Sequence, residues 1–125
     1  MKIYKFIIER TTTGYSAFCE TSPIYTSGRT ILELQNNAFE ATNLLLEESN
    51  KKINRANIDF EIDFKQFFEY YKVINSKHLA ERIGMNETLL SQYVNGKKKP
   101  SKKQINRIVE GLNGIGKELM ELSLV

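Results

Sequence analysis

The chain has 125 residues, 41% of them apolar, and its 18 Lys/Arg outnumber 15 Asp/Glu to leave a net charge of +3. This is the composition of a folded protein rather than a disordered one, and no run approaches the roughly 18 consecutive apolar residues of a membrane span. Met1-Lys2-Ile3-Tyr4-Lys5-Phe6 also lacks the apolar stretch of a secretory leader, so a cytoplasmic protein with no membrane association is expected.

The single cysteine, Cys19, excludes an internal disulfide, and no second Cys or His stands near it. It falls in an alternating run and reads as a buried structural thiol. No metal and no cofactor are expected. The charge is unevenly spread: residues 1–63 hold seven Lys/Arg against nine Asp/Glu, a balance of −2, and residues 64–125 hold eleven against six, a balance of +5. A basic unit joined to a slightly acidic one suggests an anionic polymer as one partner and something different as the other.

In chain order, Lys2 to Glu9 alternates with apolar residues on both faces and predicts a central strand. Thr11-Thr12-Thr13-Gly14 reads as a hairpin turn into a second strand, Tyr15 to Glu20, and Ile24 to Thr26 supplies a short third. Thr30 and Glu33 form a capping box for a helix whose apolar face is Ile31, Leu34, Ala38, Ala41 and Leu45. Ile58, Phe60 and Ile62 then alternate with Asp59, Glu61 and Asp63 as a last strand. The half reads β-β-β-α-β.

Asp63 caps the next helix, with Gln66 at its third position. Helices follow at 64–73, 77–83, 87–95 and 102–113, with a short fifth element from Ile115 to Leu122 set apart by Gly111, Gly114 and Gly116. The expected core of this half joins Ile105, Ile108, Val109 and Leu112 to Phe64, Phe67, Phe68 and Tyr71. The fold class is α+β, with domains at 1–62 and 63–125.

Between Leu79 and Gly96 the sequence supplies a small residue where two helices approach (Ala80), a turn glycine (Gly84), a helix cap (Asn86) and inward apolar residues (Leu79, Ile83, Leu90, Tyr93, Val94). Asn95-Gly96 ends the second helix, and Ser101 with Gln104 starts the next. This stretch resembles the repressor-type (Cro/C1, Xre) helix-turn-helix family without a gap from the turn glycine to Asn-Gly. The resemblance implies a second helix lying in the major groove of operator DNA.

It further implies a DNA-facing set of Asn86, Glu87, Thr88, Ser91, Gln92 and Asn95, with Ser76 at the start of the first helix and Lys97, Lys98 and Lys99 near phosphates. The chemistry is suitable. Gln92 can pair with adenine, Thr88 can touch a thymine methyl, and Glu87 can accept from cytosine or simply favour the helix N-terminus. Lys102 and Lys103 extend the basic cluster, which neutralises phosphates or forms a solvated face.

The N-terminal half resembles the HicB antitoxin family, in its opening strand, in Gly14-Tyr15-Ser16-Ala17, and in Tyr25-Thr26-Ser27-Gly28-Arg29-Thr30 leading into a helix with an inward alanine row. A Thr-Thr-Thr turn replaces that family's longer acidic hairpin. The resemblance implies a truncated ribonuclease-H-like sheet without catalytic carboxylates, followed by a repressor module. It implies a partner too: a HicA-type mRNA-cleaving toxin, met by Glu20, Tyr25, Thr26, Ser27 and Arg29, with the C-terminal half repressing the shared operon.

Two further readings stand beside this one. Asp59, Glu61 and Asp63 share a strand face and could suggest a metal-dependent enzyme, but no nucleophile, base and orienting group converge in the sequence, and no catalysis is expected. The alternative binding reading is a stand-alone transcriptional regulator whose N-terminal half senses a small molecule. In either binding reading a homodimer or higher homo-oligomer is expected, with the apolar tail Leu119, Met120, Leu122, Leu124 and Val125 as its interface.

Overall fold

The structure is a computed structural model describing residues 2–124. It forms two compact units, Met1–Tyr70 and Tyr71–Val125, and is α+β: a four-stranded mixed sheet with helices, then a helical region.

In the first unit the strands are β1 (Tyr4–Thr11), β2 (Gly14–Cys19), β3 (Tyr25–Gly28) and β4 (Ile58–Ile62), in the order β3-β2-β1-β4. β1 lies inside the sheet, as expected, but only its Tyr4, Phe6 and Ile8 face is buried in the core. It pairs antiparallel with β2 and parallel with β4, and β2 pairs antiparallel with β3. The parallel β1–β4 pair needs a crossover, which α1 (Ile31–Leu46) and two short 3-10 turns at Glu47–Ser49 and Arg55–Asn57 provide.

α1 begins where Thr30 Oγ1 accepts from the Glu33 amide at 3.1 Å. Its buried face is Leu34, Ala38 and Thr42, packed with Tyr4, Phe6, Ile8, Ala17, Cys19 and Ile24. Ile31 and Ala41 pack beside it as expected, but Leu45 does not complete this face, being 44% exposed; Leu46 packs there, and Thr42 is buried as well. The Thr42 hydroxyl costs little in the core, because it donates to the Ala38 carbonyl at 2.7 Å one turn back.

Two glycines let backbone approach backbone. A Cβ on Gly14 would lie 2.3 Å from the Gly28 carbonyl oxygen, and one on Gly28 would lie 2.5 Å from the Leu34 nitrogen. Together they bring β2, β3 and the start of α1 closer than any side chain would allow.

α2 (Phe64–Tyr70) belongs to this unit, so compactness puts the boundary after Tyr70 rather than after residue 62. The reason is chemical. Asp63 caps α2 by accepting from the Gln66 amide at 3.1 Å, but the Gln66 side chain does not turn back onto the cap. Its Oε1 accepts from the Arg10 amide at 2.8 Å and its Nε2 donates to the Arg10 carbonyl at 2.7 Å. The carboxamide thus continues the parallel ladder past Ile8–Ile62, standing in for the next peptide of β4. Phe64 and Phe68 are buried with α2 in this unit, not in the helical core foreseen for them.

The second unit contains α3 (Ser76–Ile83), α4 (Glu87–Val94) and α5 (Lys102–Met120) around Leu79, Ala80, Met85, Leu90, Tyr93 and Ile108. α5 runs unbroken through the three glycines that suggested a separate fifth element. Gly111 is there for close packing: a Cβ would lie 2.2 Å from Ile83 Cγ2, whereas Gly114 and Gly116 have nothing within 4 Å. Among the described residues no helix is long and apolar enough to cross a membrane.

Candidate nucleic-acid interface

The three helices of the second unit are each started by a side chain that satisfies an orphan amide. Asn75 accepts from the His78 amide at 3.1 Å, Asn86 from Leu89 at 3.0 Å, and Ser101 from Gln104 at 3.3 Å. α3 ends at Gly84, whose φ of 67° is left-handed and favours glycine, and whose amide closes the last turn on the Ala80 and Glu81 carbonyls. The chain turns through the buried Met85 into α4. Three residues, Gly84 to Asn86, thus separate the two helices, and Ala80, without exposure, sits where they pack.

Two further carbonyls at the end of α3 are held from outside. Arg107 of α5 donates through Nη2 to the carbonyls of Ile83 at 3.0 Å and Gly84 at 2.9 Å, and through Nη1 to Gln104 Oε1 at 3.1 Å. A cation at a helix C-terminus also complements the helix dipole. Arg82 of α3 forms an ion pair with Glu118 of α5. These interactions set α3, and hence α4, against α5.

With Leu90 and Tyr93 buried, α4 turns Thr88, Ser91, Gln92 and Asn95 to the other side, at the three- and four-residue spacing of one helical face. Glu87, Thr88 and Asn95 are exposed; Ser91 and Gln92 are half-buried. Asn86 spends its Oδ1 on the cap and keeps its amide donors outward. Asn95 Nδ2 donates to Ser91 Oγ at 3.2 Å, so these two form one hydrogen-bonded pair. The face is thus a set of short polar side chains on a well-anchored helix.

Beyond Gly96 (φ 73°), the amides of Lys97 and Lys98 both donate to the Gln92 carbonyl, at 2.9 and 3.2 Å. This fastens the lysine loop to the end of α4. Lys97, Lys98 and Lys99 are exposed there, and Lys102 and Lys103 open α5 beside them. Ser76 is half-buried in the first turn of α3. The cap one residue before it, Asn75, was not foreseen, although Asn-Ser before an apolar helical run is itself a cap signal. Arg107 was missed as well, and nothing local to residues 104–107 announces a partner more than twenty positions earlier.

The other expected binding set, on the first unit, is divided. Alternation along β3 turns Tyr25 and Ser27 to one face of the sheet and Thr26 to the other, toward α1. Glu20 follows β2, and Arg29 lies beyond β3 before the helix cap; both are exposed.

The carboxylates that could suggest an enzyme each have another task. Glu61 pairs with Lys5 at 2.8 Å, an Asp59 oxygen accepts from the Phe60 amide at 3.1 Å, and Asp63 caps α2. Among the described residues no group of three or more His, Cys, Asp or Glu side chains is placed to hold a metal ion. His78 is exposed and faces Glu81 at 3.5 Å. No known protein-family profile matches the chain, and no curated protein is measurably similar to it.

Proposed function

We propose that this chain is a cytoplasmic antitoxin of the HicB type, which neutralises a HicA-type mRNA-cleaving toxin through its N-terminal unit and represses its own operon by binding operator DNA through α3 and α4. In this reading it is not an enzyme and needs no cofactor. The observation that carries the DNA-binding half is the α3-turn-α4 geometry. A capped helix with one short polar face is followed directly by a tethered run of exposed lysines. Side chains on that face suit base edges, and the lysines suit flanking phosphates. The toxin-binding half rests on the resemblance of residues 14–30 to the family pattern, supported by the β-β-β-α-β order of the first unit, which suits the truncated ribonuclease-H-like sheet that the resemblance implies.

One module touches few base pairs, so operator affinity calls for a homodimer reading two half-sites. The decisive experiment is separation of function. Thr88→Ala with Gln92→Ala removes the groups that read bases while leaving the apolar core and the Gln92 backbone carbonyl in place. Operator discrimination should fall by about 1–3 kcal/mol for each base pair no longer read, stability should move by less than about 0.5 kcal/mol, and rescue of toxin-arrested growth should persist. Full operator affinity in this variant refutes the recognition-helix assignment, and loss of rescue refutes the division of labour.

A further inference from the structure

The sheet has a second face that its own core does not use. Tyr4, Phe6, Ile8, Ala17 and Cys19 point toward α1, and alternation turns the residues between them the other way. Strand register then sets Tyr25, Phe18 and Ile7 side by side across β3, β2 and β1, with Glu61 of β4 ending the row. Tyr25 is 71% exposed and Phe18 40%. An isolated exposed hydrophobe needs no explanation, but a cross-strand aromatic pair continued by an isoleucine is a contiguous apolar stripe of the kind that marks an interface. Tyr and Phe are also enriched at the centres of protein interfaces.

The surroundings of the stripe say what covers it. On the same face, the row toward one side ends in Glu9 opposite Ser16, and the row toward the other runs from Glu20 through Lys5 to Asp59. Glu9 and Glu20 therefore stand on either side of the stripe, and Glu61, at its end, pairs with Lys5 at 2.8 Å. An apolar centre with an acidic rim is complementary to a basic protein surface. The edge of the sheet is less suited to binding. β3 has only four residues, and its Ser27 carbonyl already accepts from Asn37 Nδ2 of α1 at 2.8 Å, which blocks a ladder site that an added strand would use.

We propose that this open face, centred on Phe18 and Tyr25, is the docking surface for a basic protein, which seats apolar side chains on the stripe and sets Lys or Arg side chains against Glu20 and Glu9. The identification of that protein as the toxin rests on the function proposed above. Of the set expected from sequence, Tyr25, Ser27 and Glu20 belong to this face, whereas Thr26 turns toward α1.

The test uses the full chain and, as probe, the purified product of the open reading frame adjoining its gene, with binding measured by titration calorimetry and surface plasmon resonance. Phe18→Thr and Tyr25→Thr keep strand-compatible residues and should each weaken binding by about tenfold or more. Glu20→Lys, on an exposed side chain, should slow association by about tenfold and flatten its salt dependence. Leu44→Ser, 70% exposed on α1, should change nothing. Glu20→Lys decides the matter even if an aromatic variant folds poorly. Wild-type affinity and association rate in Glu20→Lys, or weakened binding confined to Leu44→Ser, overturn this surface while leaving the antitoxin reading intact. Failure of the wild-type chain to bind the probe overturns the antitoxin reading and this inference with it.

Discussion

Arg107 and Gly84 are joined by a 2.9 Å hydrogen bond in which the guanidinium Nη2 donates to the carbonyl oxygen at the end of α3. The same nitrogen reaches Ile83, so one side chain satisfies two of the carbonyls that a helix end leaves without partners. Arg107→Ala leaves both to solvent or to nothing. The expected cost is about 1.5–3 kcal/mol, the range for hydrogen bonds to a charged group, read as a lower urea midpoint. Arg107→Lys should recover only part of it, because an ammonium cannot reproduce the planar fork. A midpoint unchanged in Arg107→Ala shows that the clamp is idle.

The glycines of α5 separate packing from propensity. Gly111→Ala drives a methyl into Ile83 Cγ2, a branched group with little room to move, and should destabilise the second unit by about 1–3 kcal/mol. Gly114→Ala and Gly116→Ala meet open space and should each stabilise it by about 0.5–1 kcal/mol through helix propensity. Thermal melts of the three variants check both signs, and the same sign in all three contradicts the packing argument.

Salt dependence tests the lysine loop. Lys98→Ala and Lys99→Ala should weaken operator and random DNA alike, and each phosphate no longer neutralised should reduce the slope of log K against log salt by about 0.9. Filter-binding titrations from low to physiological salt give that slope. If it does not change, the loop is a solvated face and the phosphates are met elsewhere.

The last turn of α5 and the tail after it leave Leu119, Met120, Leu122 and Leu124 60, 86, 72 and 99% exposed, so packing within the monomer does not account for them. Val125, the other residue of the expected interface, lies outside the described residues. If a second copy covers this stripe, sedimentation equilibrium should find a dimer for the wild type and a monomer for Leu119→Glu with Leu122→Glu. The monomeric variant should bind a single half-site without the affinity that two half-sites add. A dimer that survives both charges assigns the interface to another surface.

Local chemistry made much of this molecule legible in its sequence. Caps, turn glycines and period-two alternation act within a few residues, so Thr30, Asp63, Asn86, Ser101, Gly84 and the central position of β1 could be read from their neighbours alone. The candidate recognition face of α4 was legible for the same reason, since burying Leu90 and Tyr93 dictates which residues turn outward.

Interactions between distant positions needed the tertiary structure. Gln66 is a plausible capping residue by its spacing from Asp63, yet its carboxamide extends the sheet at Arg10, and this binds α2 to the strands rather than to the helices that follow it in sequence. Gly111 looks like a helix breaker until Ile83 is placed against it, and Arg107 looks like any surface arginine until the end of α3 arrives within reach. Tyr25, Phe18 and Ile7 are scattered in the chain and become one stripe only through strand register. In each case the deciding energy is a hydrogen bond or a close approach between groups far apart in sequence, which no local propensity encodes.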